Sequence, residues 1–418
     1  MAGVNTVDIV LWGATGFTGR LAAAYLSRQD SAFASTTIAS GAPRANLTFA
    51  LAGRSRTKLE ALHEEMGCAD SVPILVADAA DKAAVDAVVM RARVVCSLAG
   101  PFVLYGSSII ESCARLGTHY VDITGEVAWV RNMMDQHDQA AKKTGALIVP
   151  MCGFDSIPSD LGTLFAIQEC RKGGDDAIRR VCCVQTVSSP YASGGAIASF
   201  IQMDKTPVAL CSGTDVDDIF LLGGEPTSGR RKEDEFPTCA AFFGPPFDTW
   251  VGPFSMAPIN TRVVRRSHSL LAYGHDFNYA EYAAAPSEEA ALLLVKALRG
   301  APVEKREQMV VQGRLPAPGE GPTPQQRQGQ TFTTALRCEA ACGRVVVATV
   351  SGGEHAYEET AKMVVESAIC LAEMAQQRHR SGGFSTPAAA MGGVLIEKLQ
   401  AAGIAFEIVS SEGLEAKL

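Results

Sequence analysis

Residues 7–20 read VDIVLWGATGFTGR. The first six, apolar and β-branched except for Asp8, predict a short strand. A glycine-rich turn and then a helical pattern over Arg20–Arg28 follow. Gly13 permits the tight turn, Gly16 lets the backbone approach a pyrophosphate, and Gly19 lets the helix close on the sheet. Thr15, Phe17 and Thr18 fill the positions between them. The first turn of a helix offers free N–H groups and partial positive charge to a phosphate. Strand, turn and helix in this order predict a dinucleotide site, with the spacing G-x-x-G-x-x-G.

The same rhythm continues along the chain. Strands are expected at 47–51, 73–77, 94–98, 119–123 and 146–150, alternating with helices at 58–66, 81–91, 107–116 and 127–143. Alternation of this kind implies right-handed βαβ units and a parallel, doubly wound sheet. Beyond residue 155 the pattern changes, and 181–188 and 345–350 read as strands of a mixed or antiparallel sheet. The fold class is α/β with a second α+β domain. The boundaries read as 1–155 for the dinucleotide domain, 156–355 for a substrate or interaction domain, and 356–418 for a C-terminal segment that packs back near the first. Residues 223–254 are Gly/Pro-rich but carry Phe236, Phe242, Phe243, Phe247, Trp250 and Phe254, which suits an apolar wall or lid. Residues 315–330, without aromatics, read as a flexible surface loop.

The end of the second strand selects the nucleotide. A site for NAD(H) places an acid there to hold the ribose 2′-hydroxyl. This chain has LAGRSR at 51–56, with no acid. Arg54 can fork onto a 2′-phosphate, with Ser55 assisting and Arg56 or Lys58 as further contributors, so NADP(H) is expected over NAD(H). Asp78 either reaches the adenine edge or caps the helix that follows. Ligands of such sheets lie at the carboxyl ends of the strands, where three polar clusters stand. SLAGPFVLYG at 97–106 supplies Gly100 and Pro101 as a wall near the nicotinamide ribose. It also carries Tyr105, a proton or hydrogen-bond donor or else a packing residue. YVDITGE at 120–126 supplies Asp122, Thr124 and Glu126, which orient a substrate hydroxyl or amine, or begin a helix. GFDSIPSD at 153–160 supplies Phe154, Asp155 and Ser156 ahead of Pro158, a helix start facing a cleft. Tyr105, Asp122 and Asp155 are the candidate catalytic groups. Thr124, Glu126, Phe154 and Ser156 are the candidate substrate contacts.

Composition narrows the classes. With 418 residues, 47% of them apolar, and a net charge of −8 without a long basic run, the chain is globular and lacks the basic face of a nucleic-acid binder. Twelve cysteines occur without a C-x-x-C pair, which suits buried free thiols in a reducing compartment, and no metal site is expected. Cys182 and Cys183 should point to opposite faces of one strand. No apolar run is long enough to span a membrane, although a peripheral lipid contact through the aromatic stretch, and a homodimer, stay open. Ala416, Lys417 and Leu418 resemble a peroxisomal address, so the expected location is cytoplasmic or peroxisomal.

These motifs in this order resemble the saccharopine dehydrogenase-like oxidoreductases, including their trans-acting enoyl reductase branch. The matching residues are GATGFTGR (13–20), LAGRSRTKLEAL (51–62), AGPFVLYG (99–106), GTHYVDITGE (117–126), CGFDSIPSDLG (152–162), INTRVVRRS (259–267) and GGFSTPAAAMGG (382–393). The resemblance implies a Rossmann domain joined to an α/β substrate domain and, in that branch, reduction of a C=C (enoyl) bond of a lipid-linked substrate. Lysine-pathway members open with G-x-G-x-x-G instead. Two alternatives stay open: a nucleotide-binding protein of lipid surfaces with reduced catalysis, and a saccharopine-type imine reductase. Arg262, Arg265 and Arg266 either form a solvated face or meet an acidic head group or carrier.

Overall fold

The computed structural model describes residues 7–31, 47–174, 177–188, 191–205, 213–225, 229, 240–244, 247–298, 300–375 and 381–409. The peroxisome-like tripeptide at 416–418, Phe236 and most of the insertion at 31–45 lie outside them.

Fourteen strands are described. In the first half of the chain they are β1 (Val7–Trp12), β2 (Phe49–Gly53), β3 (Ile74–Val76), β4 (Ala92–Ser97), β5 (His119–Asp122) and β6 (Leu147–Val149). Then come β7 (Ile178–Val187), β8 (Phe242–Gly244), β9 (Thr249–Pro253), β10 (Asn278–Ala285), β11 (Phe332–Ala340), β12 (Val345–Gly352), β13 (Gly383–Phe384) and β14 (Ala405–Val409). The first sheet runs β13-β6-β5-β4-β1-β2-β3, and every pairing in it is parallel. This is the doubly wound order expected from the alternation of strands and helices. Strand β1 is central and buried on both faces: Ile9 and Leu11 enter one apolar layer, Val10 and Trp12 the other. Its polar member, Asp8, sits at the rim, where Thr48 and Arg93 satisfy its carboxylate.

Element ends moved where hydrogen bonding overrode pattern. The first helix spans Phe17–Ser31 and so begins inside the glycine turn. Strand β2 lies two residues later than expected, because its parallel register sets Ile9 opposite Phe49 and Leu11 opposite Leu51.

The second sheet, β14-β12-β11-β7-β10-β9-β8, is mixed: β7 and β10 are parallel and the other neighbours antiparallel. Cys182 faces its outer cluster and Cys183 the main core. The helix Thr360–Met374 lies almost wholly buried against β1, β4 and β5 of the first sheet, and the apolar layer it joins contains residues of both sheets. The segment after it serves both sheets, β13 pairing with β6 and β14 with β12.

Two expectations are corrected here. Among the described residues of the aromatic stretch, Phe242 packs on Tyr282, Phe243 on Trp250, and Phe247 joins the outer cluster of the second sheet. These side chains fill the face of an edge hairpin, while Phe254 lines the cleft. Residues 315–330 lie over the first glycine turn, with Pro318 and Gly319 on the cleft wall and Gly321 against the Phe17 ring. The arginines of 259–267 are neither a solvated face nor a head-group site. Arg262 and Arg265 are buried and donate to the carbonyls of Val216, Asp218 and Ile219, while Arg266 donates to that of Phe384.

Candidate active site

A cleft of about 550 Å³ opens at the carboxyl ends of the first sheet's strands, walled on its far side by the second half of the chain. Gly13, Thr15, Gly16, Phe17, Thr18, Arg54, Gly100, Tyr105, Glu126, Phe154 and Asp155 all line it.

The glycine turn is built for a backbone-to-phosphate approach. Gly13 has φ +79°, and a Cβ there would stand 2.9 Å from the Ala99 nitrogen. Gly19 is off the lining, and its constraint is internal: a Cβ would lie 2.2 Å from the Gly13 carbonyl oxygen. At the end of β2, Arg54 and Lys58 face the cleft, and neither is in an ion pair among the described residues. Arg56 turns away toward Glu60, and Ser55 caps the helix Arg56–Glu65 by accepting from the Lys58 N–H. Asp78 is exposed and accepts from the Ala80 N–H, while Asp81, not Asp78, caps the next helix. A cradle without room for a Cβ, two cations outside any described ion pair and no acid at the end of β2 fit NADP(H). Gly13, Gly16 and the helix start would hold the pyrophosphate, and Arg54 and Lys58 the 2′-phosphate.

The other polar residues divide by where their hydrogen bonds go. Asp122 is fully buried and off the lining. Its oxygens accept from the Tyr120 hydroxyl and from the N–H groups of Thr124 and Met151, so it ties the ends of β5 and β6 together. Burial raises its carboxyl to about 7. Thr124, also buried, accepts from the Glu126 N–H. Glu126 lines the cleft, but its carboxylate accepts from the N–H groups of Phe102 and Val103 at 2.8 and 2.7 Å and from the Ser199 hydroxyl at 3.0 Å. It thus bridges the two halves of the molecule and caps the short helix Phe102–Tyr105, which Pro101 precedes.

Asp155 differs from these. It lines the cleft, and no described residue hydrogen-bonds its carboxyl. Burial, aided by the charge of Glu281, raises it to about 6. The loop carrying it is strained at both ends, with Met151 at φ +63° and Ser156 at φ +128°. Ser156 is buried, off the lining, and donates to Asn260. Asn260 in turn donates to Glu281, a fully buried carboxyl that also accepts from Ser159 and Gln185. Phe154 stacks against His355 at 4.5 Å between centroids and against Phe332 at 5.0 Å.

Several lining residues escaped the sequence reading. A π-helical turn, His355–Glu359, brings His355 and Tyr357 to the cleft. Tyr357 packs edge-on against Phe17, and its hydroxyl accepts from the Ser193 N–H. His355 has a buried Nδ1 without a hydrogen-bond partner among the described residues, and burial lowers it to about 4, which leaves it neutral near pH 7. The helix Gly194–Lys205 contributes Ser199, Phe200 and Met203. These residues lie far apart in sequence, and only the Gly-Gly-Glu run ahead of His355, whose Glu354 caps the turn through three N–H groups, was a local signal.

Known proteins match this chain at two levels. Residues 9–149 match the saccharopine dehydrogenase NADP-binding domain. A trans-acting enoyl reductase of Mycobacterium ulcerans is 32% identical over 95% of this chain and 96% of its own. A putative trans-acting enoyl reductase of Mycobacterium tuberculosis is 34% identical over 96% and 97%. Among solved structures, apo saccharopine dehydrogenase (L-Glu forming) from Saccharomyces cerevisiae covers 97% of this chain and all of its own, with a TM-score of 0.53 at 13% identity, a likeness of fold. The cofactor is therefore NADP(H), and the chain belongs to the saccharopine dehydrogenase-like oxidoreductases, in the group that contains the trans-acting enoyl reductases.

Proposed function

We propose that the protein reduces a carbon–carbon double bond conjugated to a carbonyl, on a lipid-linked substrate whose chain lies in the apolar part of the cleft. The observation that carries this reading is the Asp155 carboxyl, uncommitted and raised to about 6, in a cleft it shares with the nucleotide cradle. Tyr191, Phe200, Met203, Phe254, Met256 and Ile259 continue that cleft as an apolar wall, partly open to solvent at Tyr191, Phe200 and Met203. NADPH supplies the hydride when bound. Asp155 holds the proton that the carbon next to the carbonyl takes up, and the raised affinity for that proton suits a general acid. Tyr357 is protonated, because burial raises its phenol, and the Ser193 N–H polarises its oxygen, so its O–H is placed to donate to a carbonyl oxygen. Asp122 and Glu126 act by fixing the loops around the site.

A saccharopine-type imine reduction fits less well. A dicarboxylate substrate calls for several arginines, and among the described residues Arg54 is the only arginine on the cleft wall. The test is NADPH oxidation by the purified protein with enoyl thioesters of increasing chain length, beside a panel of amino acids mixed with keto acids. Turnover of enoyl thioesters that improves with chain length supports the reading. Turnover of the second panel alone, or of neither, overturns it.

A further inference from the structure

Tyr105 stands at the wrong end of the groove to serve the reacting carbons. Its ring lies beneath Arg54, with the guanidinium carbon 5.3 Å from the ring centroid. Arg54 follows β2, and the end of that strand is where a doubly wound sheet receives the adenosine ribose, not the nicotinamide. The helix Phe102–Tyr105 that carries the ring is fixed at both ends. Glu126 holds the N–H groups of Phe102 and Val103 at its start. At its close, a Cβ on Gly106 would lie 2.6 Å from the Trp129 ring, so backbone and indole meet directly. Phe102 packs on the same indole at 5.7 Å between centroids. Tyr105 is thus presented on a rigid turn, whereas Arg54 is exposed, outside any described ion pair, and otherwise free to sample its rotamers.

We propose that Tyr105 is the positioning residue for cofactor choice: its π face holds the Arg54 guanidinium so that the N–H fork stands ready for the 2′-phosphate of NADP(H). A cation over an aromatic face is attracted by the ring quadrupole, and this leaves the edge N–H groups free. Ordering a flexible arginine before the ligand arrives lowers the entropy lost on binding. The hydroxyl plays no part, which replaces the expectation that Tyr105 donates a proton. The inference rests on Arg54 as the 2′-phosphate contact.

The experiment is equilibrium binding of NADPH and of NADH, by calorimetry, to the full chain and to Arg54→Ala, Tyr105→Leu, Tyr105→Phe and the Arg54→Ala/Tyr105→Leu double variant. Melting curves without nucleotide check that each is folded. Tyr105→Leu is expected to weaken NADPH about fivefold and NADH by less than about twofold, and Tyr105→Phe to keep both within about twofold. The double variant is expected to bind NADPH no more weakly than Arg54→Ala alone, because the ring acts through the arginine. Equal weakening of both nucleotides by Tyr105→Leu, an unchanged NADPH affinity, or loss of preference in Tyr105→Phe overturns the proposal. Failure of the underlying reading looks different: Arg54→Ala then leaves the preference for NADPH intact.

Discussion

Asp155 and Gly19 show how much one residue decides here. If Asp155 supplies the proton, activity depends on its protonated form, so kcat is highest at low pH and falls as pH rises through about 6. Asp155→Asn should remove that limb and lower kcat by about 10²- to 10⁴-fold, with NADPH binding kept. A pH–rate profile of the variant that keeps the wild-type limb would assign the proton to another group. Gly19 carries no chemistry, yet its missing Cβ lets the first helix start over the Gly13 carbonyl at a 2.2 Å approach. Gly19→Ala must push the helix off the turn. It should cost about 1–3 kcal/mol of stability, as overpacking does, and abolish the melting shift that NADPH produces. A variant that still responds to NADPH with the wild-type shift would show the turn to be more tolerant than the contact implies.

At the scale of elements, the short helix Phe102–Tyr105 joins two ends of the cleft, because Glu126 caps its start and Ser199 of the facing helix shares the same carboxylate. Glu126→Ala leaves two N–H groups without their acceptor. It should lower the denaturant midpoint by an amount equivalent to about 1–3 kcal/mol and also weaken NADPH binding. Loss of stability with unchanged nucleotide affinity would separate this helix from the cofactor groove. The same helix marks how far the chain could be read in advance. The glycine turn, Arg54 and the polar loops after β4, β5 and β6 were legible, because each depends on a strand end and on residues within a few positions of it. The division of labour among them was not. Asp122 and Asp155 occupy similar loops, and only the tertiary donors around Asp122 commit its carboxylate while Asp155 stays free. The facing wall was illegible for the same reason: Ser199 meets Glu126, Ser193 meets Tyr357 and Tyr357 meets Phe17 at sequence separations of 73, 164 and 340. In the aromatic stretch, Phe242, Phe243 and Trp250 satisfy an edge hairpin of the second sheet, a tertiary pairing that the local composition does not reveal.

Across the whole molecule, buried carboxyls link the sheets and tie stability to pH. Asp160, fully buried on the helix Ile157–Arg171, accepts from Ser267 and from the Ala388 N–H, so it fastens the segment between β13 and β14 to the second half of the chain. Burial raises it to about 7 from 3.8. A carboxyl raised in the folded state stabilises most below its unfolded pKa, and that contribution is lost as pH climbs through the folded value. The stability gap between wild type and Asp160→Asn should therefore narrow by at least about 1.4 kcal/mol between roughly pH 4 and pH 8, measured from urea midpoints. A gap that widens with pH would reverse the sign assigned to this group. The division of β13 and β14 between the two sheets has a consequence for biogenesis. Neither sheet has its full set of strands until residues 383–409 have left the ribosome, so a nascent chain stalled before them holds both sheets with an unpaired edge, at β6 and at β12. Folding on the ribosome cannot finish one half and then the other, and such intermediates are the species a chaperone would have to shield.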